Sequence, residues 1–263
     1  MQAGVFEATK KNGSIYYRSS INYKGKHISL GSFDKEDDAH NAYMEAGEVL
    51  TDYDINALNV KSYTSALSFE KSISLLNVRD NRIYFKNPIY LQKGYFFYYL
   101  DSKKILKFDN DDLFYYAEHK IQHRGNHLFV ADYGMQYSIL GRYGIKAFAV
   151  PGRDYTFANG DPTDFRYSNI IVINRFHGVQ KEELSGIARY KAVIHLNGDF
   201  IIGRYPSEEK AAVAYNKAAD FAKDNGFQKN FPQNYVEEYS PREYADVYTK
   251  IKLPAKYISY FKQ

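Results

Sequence analysis

The sequence contains neither cysteine nor tryptophan in its 263 residues. The missing thiols exclude disulfide bonds and thiolate metal sites, and they are typical of a reducing compartment. Charge is nearly balanced, with a net charge of +4, so any contact with a polyanion must come from a local patch. No apolar run approaches the ~18 residues of a membrane span, and Met1-Gln2-Ala3-Gly4 does not resemble a signal peptide. These absences predict a soluble cytoplasmic protein without a membrane partner.

Tyrosine and phenylalanine, in contrast, are abundant, with 27 and 18 copies. Tyrosine suits half-buried sheet surfaces, because its ring packs on the core while its hydroxyl stays at the rim. We therefore expect substantial β-sheet. A chain of this length forms one large domain or about two to three small ones.

Two segments of the sequence, residues 17–50 and 190–222, resemble each other. Each begins with residues that predict a strand, a tight turn and a second strand. The turns fall at Lys24-Gly25 and Asn197-Gly198. Asn-Gly is a strong signal for a type I′ hairpin, and Lys-Gly is a weaker one.

A helix is predicted after each hairpin, with apolar residues at the same offsets in both copies. These residues are Ala39, Ala42, Tyr43, Ala46, Val49 and Leu50 in the first copy and Ala211, Ala214, Tyr215, Ala218, Phe221 and Ala222 in the second. Asp34 is the predicted start of the first helix and Pro206-Ser207 that of the second. A further strand is predicted upstream, from Gly4 in the first copy and from Gly178 in the second.

The sheet face opposite the helix is predicted to be exposed, because side chains alternate between the two faces of a strand. Basic, amide and hydroxyl groups on that face can hold phosphates or read base edges, and a narrow sheet can enter the major groove of DNA. The predicted DNA-binding residues are Arg18, Ser20, Asn22, Lys24, Lys26, His27, Ser29 and Ser32 in the first copy and Gln180, Arg189, Lys191, Val193, His195, Asn197 and Arg204 in the second.

Gly4-Val5, Gly25-Lys26, Leu30-Gly31-Ser32-Phe33 and the alanine pattern that follows resemble the AP2/ERF DNA-binding domain, and the second copy resembles it at the matching positions. Phe227 through Tyr235 is similar to the Asn-Phe-Pro tail of such modules, which also occur fused to HNH homing endonucleases in bacteria and phages. The resemblance implies a three-stranded sheet with one helix, and it assigns Tyr43 and Tyr215 to the base-reading face. The arginines of the family's first strand fall here at Ala3, Phe6 and Ala8, and at His177, Gln180 and Glu182.

The segment between the copies resembles the HNH ββα-metal signature of homing endonucleases through Asn159-Gly160-Asp161, Asp164, Arg166 and Asn169-Ile170. An HNH nuclease needs a histidine as general base and ligands for a divalent ion. The resemblance places Phe157 at the position of that histidine and Phe165 at the position of the middle asparagine. We therefore predict no catalytic residue, no metal and no cofactor, and we expect Asp161, Asp164, Arg166 and Asn169 to form a turn and capping network.

Other residues of the middle segment carry lesser expectations. Arg153, Arg166 and Arg175 are candidates for contacts with the DNA backbone. His119 and His123 have the spacing of a helical metal pair, but the neighbouring Gln122 and Arg124 favour an exposed basic segment. Strands are predicted over residues 82–85, 89–91, 95–100 and 127–130.

The predicted fold class is α+β, with two small modules, each a three-stranded sheet plus a helix, on either side of a β-rich degenerate HNH (ββα-metal-like) domain. Module one is residues 1–52, the HNH-like domain is residues 76–177, and module two is residues 178–235. Residues 53–75 are predicted to be a linker that ends in a connecting helix. Residues 236–263 are predicted to be a helical tail that begins at Ser240-Pro241. Its aromatic end either packs on its own domain, which we favour, or forms a homodimer.

The sequence thus predicts a sequence-specific protein that binds double-stranded DNA. The predicted role is that of a transcriptional regulator, derived from a homing endonuclease that has lost its nuclease activity, near the nucleoid of a bacterial or phage-infected cell. One alternative is an active HNH-type endonuclease or nickase with an unusual ligand set. A second alternative is an inhibitor that binds a DNA-processing enzyme through a protein interface.

Overall fold

The computed structural model describes residues 1–262 and has two compact units. Unit one comprises Met1–Ser138 and Asp161–Asn169, and unit two comprises Ile139–Gly160 and Ile170–Gln263. The fold is mixed α+β with several small three-stranded antiparallel sheets, which confirms the predicted class. Within residues 1–262 no helix has the length and apolar character to cross a membrane.

Module one begins unit one as an antiparallel sheet with one helix packed on it. The strands β1 (Val5–Thr9), β2 (Ile15–Tyr23) and β3 (Lys26–Phe33) lie in the order β1-β2-β3, and α1 (Glu36–Thr51) follows. Ile28 and Leu30 point from the sheet into a core that contains Ala42 and Ala46 of the helix. Because alanine is small, α1 lies close to the sheet. It covers one face of the sheet only, and residues on the other face, such as Arg18 and Asn22, are exposed.

The remainder of unit one contains two helices and two more three-stranded sheets. In chain order these elements are α2 (Phe69–Asn81), β4 (Ile89–Leu91), β5 (Tyr95–Tyr99), β6 (Ile105–Asp109), α3 (Leu113–Glu118), β7 (Ile121–Arg124), β8 (His127–Asp132) and β9 (Met135–Ser138). The strand predicted over residues 82–85 is wrong. Arg82 adopts a left-handed conformation with φ 65° that ends α2, and the Asn77 side chain donates to the Ile83 carbonyl at 2.7 Å.

The predicted connecting helix is present as α2, but it extends to Asn81 and packs on module one. Arg79 is 5% exposed, and its guanidinium donates to the carbonyls of Val49 at 2.9 Å and Asp52 at 2.6 Å. These contacts satisfy the carbonyls at the end of α1, which have no partner within the helix. The segment after module one is therefore bound to that module rather than loose.

Unit two contains a short hairpin, module two and the tail. Its elements are β10 (Tyr155–Phe157), β11 (Ile170–Val172), β12 (Val179–Leu184), β13 (Ile187–His195), β14 (Asp199–Tyr205), α4 (Glu208–Asp224), α5 (Pro241–Lys250) and α6 (Ala255–Tyr260). The chain passes from β11 to β12 without a helix between them. The helix that a ββα-metal fold places after its hairpin is therefore missing from this described stretch, which corrects that part of the expected architecture.

The tail packs on module two, as favoured from the sequence. Tyr257 is fully buried and donates from its hydroxyl to the Ala218 carbonyl at 2.7 Å. The ring of Tyr260 lies 5.1 Å from that of Phe200. The aromatic residues that suggested a homodimer thus have partners within the chain, and the homodimer stays a prediction.

The two modules share two details of backbone. Gly4 and Gly178 have φ of 75° and 67°, and a Cβ atom at these glycines would lie 2.1 Å from the Tyr43 ring and 2.0 Å from the Tyr215 ring. Each sheet also has an irregularity at the matching place, between Ser19 and Ser20 and between Ala192 and Val193. Tyr43 and Tyr215 therefore lie on the helix side of their sheets, and their assignment to the base-reading face is wrong.

The hairpin turns reverse the sequence prediction. Lys24 and Gly25 have φ of 47° and 78°, as a type I′ turn requires. Asn197 and Gly198 are not among the residues with positive φ. They lie with Leu196 in the loop between β13 and β14, where the backbone N–H of Leu196 donates to the Gly198 carbonyl at 3.0 Å.

One of the two predicted helix starts is correct. Ser207 caps α4 by accepting from the Lys210 N–H, which confirms that start. The cap position of α1 is Lys35, which makes no side-chain cap, and not Asp34.

Candidate nucleic-acid interface

The open face of module one is the sheet face opposite α1. Strand register places its residues in cross-strand rows, which are Phe6–Arg18–Ser32, Ala8–Tyr16, Ser20–Ser29 and Asn22–His27. The structure therefore brings together six of the eight residues that the sequence predicted for this module. None of the positions in these rows carries an acidic residue.

Hydrogen-bonding groups on this face are available to a ligand. Arg18, Asn22, His27, Ser29 and Ser32 are exposed, and within residues 1–262 Arg18 has no ion-pair partner. A shallow depression of about 250 Å³ lies at the centre of the face, lined by Phe6, Arg18, Ser19, Ser20, His27 and Ser29. Arginine, asparagine and serine donors in such a row can reach the edges of neighbouring bases.

Two predicted lysines do not lie on the open face. Lys24 is in the hairpin turn, with its ammonium 4.9 Å from the centre of the Tyr23 ring. Lys26 points to the helix side, with its ammonium 5.0 Å from the Tyr84 ring. Lys71 lies 5.2 Å from the same ring and donates to the Tyr84 hydroxyl at 2.6 Å. The position of Lys71 could not be predicted, because no sequence pattern places α2 beside the hairpin.

The open face of module two has the same backbone but different chemistry. Its rows are Gln180–Lys191–Arg204, Glu182–Arg189, Val193–Ile201 and His195–Asp199. Glu182 accepts a short hydrogen bond from Arg204 and lies 3.5 Å from the Lys191 ammonium. The hydrogen bond from Arg204 holds the pKa of Glu182 below its ordinary value. One carboxylate thus neutralises much of the positive charge on this face.

Glu182 was also missed as part of this face, although a signal was present. It lies two residues after Gln180 on β12, so both side chains point to the same face. The contact of Glu182 with Lys191 and Arg204 depends on the register of β12, β13 and β14, which the sequence does not specify.

Two more predicted residues of module two already have partners. His195 lies 2.7 Å from Asp199 across the end of the hairpin. Asn197 is in the loop rather than on a strand, and its amide donates to the Tyr260 hydroxyl at 2.8 Å. Asn197 therefore does not belong to the open face.

The HNH-like residues of unit one form a turn network, as predicted. Asp161 accepts from the N–H and the hydroxyl of Thr163 at 2.8 and 2.7 Å. Asp164 is 2% exposed, binds the Arg166 guanidinium at 2.6 Å and accepts from the Asn169 amide through its carbonyl. Burial opposes ionisation of Asp164, but hydrogen bonds from Arg166 outweigh it and keep the pKa of the carboxyl lowered.

The two phenylalanines in this motif have structural contacts. Phe165 is 4% exposed and its ring stacks on that of Phe108 with a centroid distance of 5.5 Å. Phe157, in unit two, packs edge-to-face on Tyr155 at 5.8 Å. Neither hydrocarbon ring can accept a proton from water, so neither can replace a general base.

The three arginines considered for backbone contacts all form ion pairs with carboxylates. Arg166 pairs with Asp164, and Arg153 pairs with Asp154 at 2.7 Å. Arg175 binds three carboxylates, those of Glu208, Glu209 and Glu238. A phosphate would have to compete with these partners, and contacts from these arginines to DNA stay a prediction.

The histidine pair of the middle segment does not lie on one helix. His119 follows the end of α3 and stacks on Tyr115 at 4.3 Å, whereas His123 lies in β7. Over the described part of the chain, residues 1–262, no group of three or more His, Cys, Asp or Glu side chains is placed to hold a metal ion.

Comparison of the chain with protein-family models, with curated proteins and with solved structures gives no match. The geometry and chemistry of the two open faces are therefore the features that bear on function.

Proposed function

We propose that this chain binds double-stranded DNA through the open faces of its modules and acts as a regulator that does not cleave its site. The observation that carries the proposal is the open face of module one, where Arg18, Asn22 and His27 are exposed among serines with no acidic residue in the rows. Phosphates repel carboxylates, and both phosphates and the acceptor atoms of base edges accept hydrogen bonds from such groups.

The dimensions of the sheet support this proposal. Neighbouring strands lie roughly 4.8 Å apart, so three strands span about 10 Å, and the major groove of B-DNA is about 12 Å wide. A sheet whose second face is covered by a helix can enter the groove with its open face toward the bases. β2 and β3, with nine and eight residues, are long enough to follow several base pairs.

Module two supports a smaller contribution. Before Arg204 or Lys191 can bind a phosphate, its contact with Glu182 must be broken or shared. Two modules in one chain raise the effective concentration of the second once the first has bound. We therefore assign the greater part of DNA recognition to module one and a supporting part to module two.

The HNH-like residues are the reason for proposing that the chain does not cleave DNA. Phe157 occupies the position of the general base, and the carboxylates of Asp161 and Asp164 accept hydrogen bonds within the turn. Water activation needs a base within hydrogen-bond reach and a metal ion that stabilises the phosphate. These contacts support a regulator over an active nuclease.

A second candidate is an interface for another protein on module two. Leu184, Ile187 and Ile201 are 45%, 54% and 47% exposed on the open face of that module, and Glu182 reduces its positive charge. Apolar area of this kind is found at protein interfaces more often than in DNA grooves. Under this alternative, module two binds a protein while module one remains available.

Selection of bound duplexes from a random-sequence library by the full chain tests the proposal. We expect a shared sequence motif among the retained duplexes, with an affinity that falls linearly on a log–log plot against salt. Replacement Arg18→Gln is expected to weaken binding by roughly five- to 150-fold, as for a lost base contact. Failure to retain any duplex at low salt would contradict the proposal, and Mg²⁺-dependent cleavage of a retained duplex would contradict its regulatory part.

A further inference from the structure

An exposed phenylalanine stands beside the arginine at the centre of the open face of module one. Phe6 and Arg18 are register partners on β1 and β2, and Phe6 is 55% exposed. The neighbouring Val5 is 4% exposed and fills the core on the other side of the sheet, so the packing of the sheet does not require Phe6. The ring instead lines the depression that also contains Arg18.

Apart from Phe6, the residues that line this depression are small or polar. Ser20 and Ser29, which face each other across β2 and β3, leave space because their side chains are short. His27 also lines the depression. The site therefore combines one apolar surface, one cation and room for a group larger than water.

The chemistry of the major groove offers one match for this combination. The 5-methyl of thymine is the apolar group on a base edge there, and guanine O6 and N7 are the acceptors that arginine binds with two hydrogen bonds. Cross-strand partners have Cβ atoms about 4.5–5.5 Å apart, and successive bases of one strand are about 3.4 Å apart. Two neighbouring residues can thus contact two neighbouring bases.

We propose that this depression holds a thymine–guanine step, with Phe6 against the thymine 5-methyl and Arg18 donating to guanine O6 and N7. This inference rests on the proposed DNA-binding function and names the step that module one recognises. Module two has Gln180 and Lys191 at the matching row, so the dependence on the methyl group belongs to module one.

The test uses the full chain and a duplex selected by it, with single-atom changes in the DNA. Deoxyuridine in place of thymine removes only the methyl group, and 7-deazaguanine in place of guanine removes only the N7 acceptor. Both duplexes are titrated with wild type, Phe6→Ala, Arg18→Gln and the control Met44→Ala. Met44 is on α1 of the same module and has the same 55% exposure as Phe6.

Wild type is expected to bind the deoxyuridine duplex about fourfold more weakly, the effect of one methyl group no longer buried. Phe6→Ala should bind the thymine and deoxyuridine duplexes equally, whereas Met44→Ala should keep the fourfold difference. The 7-deazaguanine duplex should weaken binding by wild type and leave Arg18→Gln unchanged.

The two proposals fail in different ways. If no duplex is retained by wild type, DNA binding itself is contradicted. If duplexes are retained but contain no thymine–guanine step, or if Phe6→Ala keeps the fourfold difference, the step recognition is overturned while DNA binding stands. Unchanged circular dichroism spectra for the variants establish that the module remains folded.

Discussion

Module one and module two have the same arrangement of strands and helix, yet their open faces differ at one decisive position. In module one, β1 carries Ala8, and Arg18 has no ion-pair partner among residues 1–262. In module two, β12 carries Glu182 at the matching position, and this carboxylate binds Arg204 and contacts Lys191. Two sheets with the same backbone arrangement thus present different charge, because Glu182 neutralises cations on one face and Ala8 cannot do so on the other.

The helices of the two modules also carry opposite charges at one matching position. Glu45 on α1 accepts from the N–H groups of Ser65, Ala66 and Leu67 ahead of α2. Lys217 occupies the matching position on α4 and donates to the carbonyls of Tyr248 and Ile251 at the end of α5. An anion near a helix start and a cation at a helix end both complement the helix dipole. Module one therefore binds the segment that follows it through an anion, and module two binds its following segment through a cation.

The largest expected effect concerns the glycines that begin the sheets. Alanine at Gly178 would meet the Tyr215 ring at 2.0 Å and the Val193 carbonyl oxygen at 2.5 Å, whereas the three atoms nearest to an added carbon at Gly4 all belong to the Tyr43 ring. Left-handed strain costs roughly 1–2 kcal/mol, and overpacking adds about 1–3 kcal/mol. We expect Gly178→Ala to destabilise more than Gly4→Ala, as measured by urea denaturation.

Gly13 provides the matched control for these substitutions. It has φ of 84° and open space around the added carbon, so Gly13→Ala should show the strain of roughly 1–2 kcal/mol alone. Equal losses for Gly13→Ala and Gly178→Ala would contradict the role given to the tyrosine contact.

A smaller effect is expected where the modules bind their following segments. Burial opposes ionisation of Glu45, but hydrogen bonds from Leu67, Ser65 and Ala66 outweigh it and lower the pKa of the carboxyl. Its contribution is therefore present above the unfolded value of roughly 4.3 and is lost as pH falls through the lowered folded value. Glu45→Gln should cost about 1–2 kcal/mol at pH 7, and the difference from wild type should shrink in acid.

The measurement is urea denaturation at several pH values, with Lys217→Gln as the comparison in module two. That change should also cost about 1–2 kcal/mol at pH 7, through the carbonyls it leaves without a donor. A Glu45→Gln deficit that stays constant from pH 7 to pH 3 would disagree with the hydrogen-bonded carboxylate.

Substitutions at Glu182 and Ala8 test whether a carboxylate at this position controls DNA binding by each open face. Glu182→Gln releases Arg204 and Lys191, and it should strengthen binding to mixed-sequence duplex DNA and increase the salt slope by about one for each new phosphate contact. Ala8→Glu introduces the carboxylate beside Arg18 and should weaken binding. Fluorescence anisotropy at several salt concentrations measures both changes. Effects of the same sign would contradict the role given to the carboxylate on the open face.

The smallest expected effect concerns the hairpin turns. Gly25 has φ of 78°, whereas Gly198 is not in the left-handed region and has open space around an added carbon. Gly25→Ala should cost roughly 1–2 kcal/mol, as for Gly13→Ala, and Gly198→Ala should change the free energy of unfolding by less than about 0.5 kcal/mol. The reverse order would support the turn types expected from the sequence.

The repeat was predictable because local patterns encode it. Alternating strand residues and the alanine stripe placed both sheets and both helices, including Ser207 at the start of α4. The turn type at Asn197-Gly198 was not predictable, since the burial of Leu196 depends on the folded core. The position of Lys26 opposite Tyr84 also depends on a contact with a distant part of the chain.

The chemistry of the faces was predictable only in part. Strand alternation correctly placed Arg18, Asn22 and His27 together. The ion pair of Glu182 with Arg204 needed the register across β12, β13 and β14, which no local pattern specifies. The exposure of Phe6 was not predicted, because hydrophobic side chains on strands are first expected in the core.

Titration of a duplex selected by wild type with full-length Arg18→Gln and Lys191→Gln compares the two faces directly. Arg18→Gln should weaken binding by roughly five- to 150-fold, and Lys191→Gln should weaken it clearly less, because Lys191 already contacts Glu182. Equal losses, or no loss for Arg18→Gln, would contradict the claim that the open face of module one is the principal DNA-binding surface.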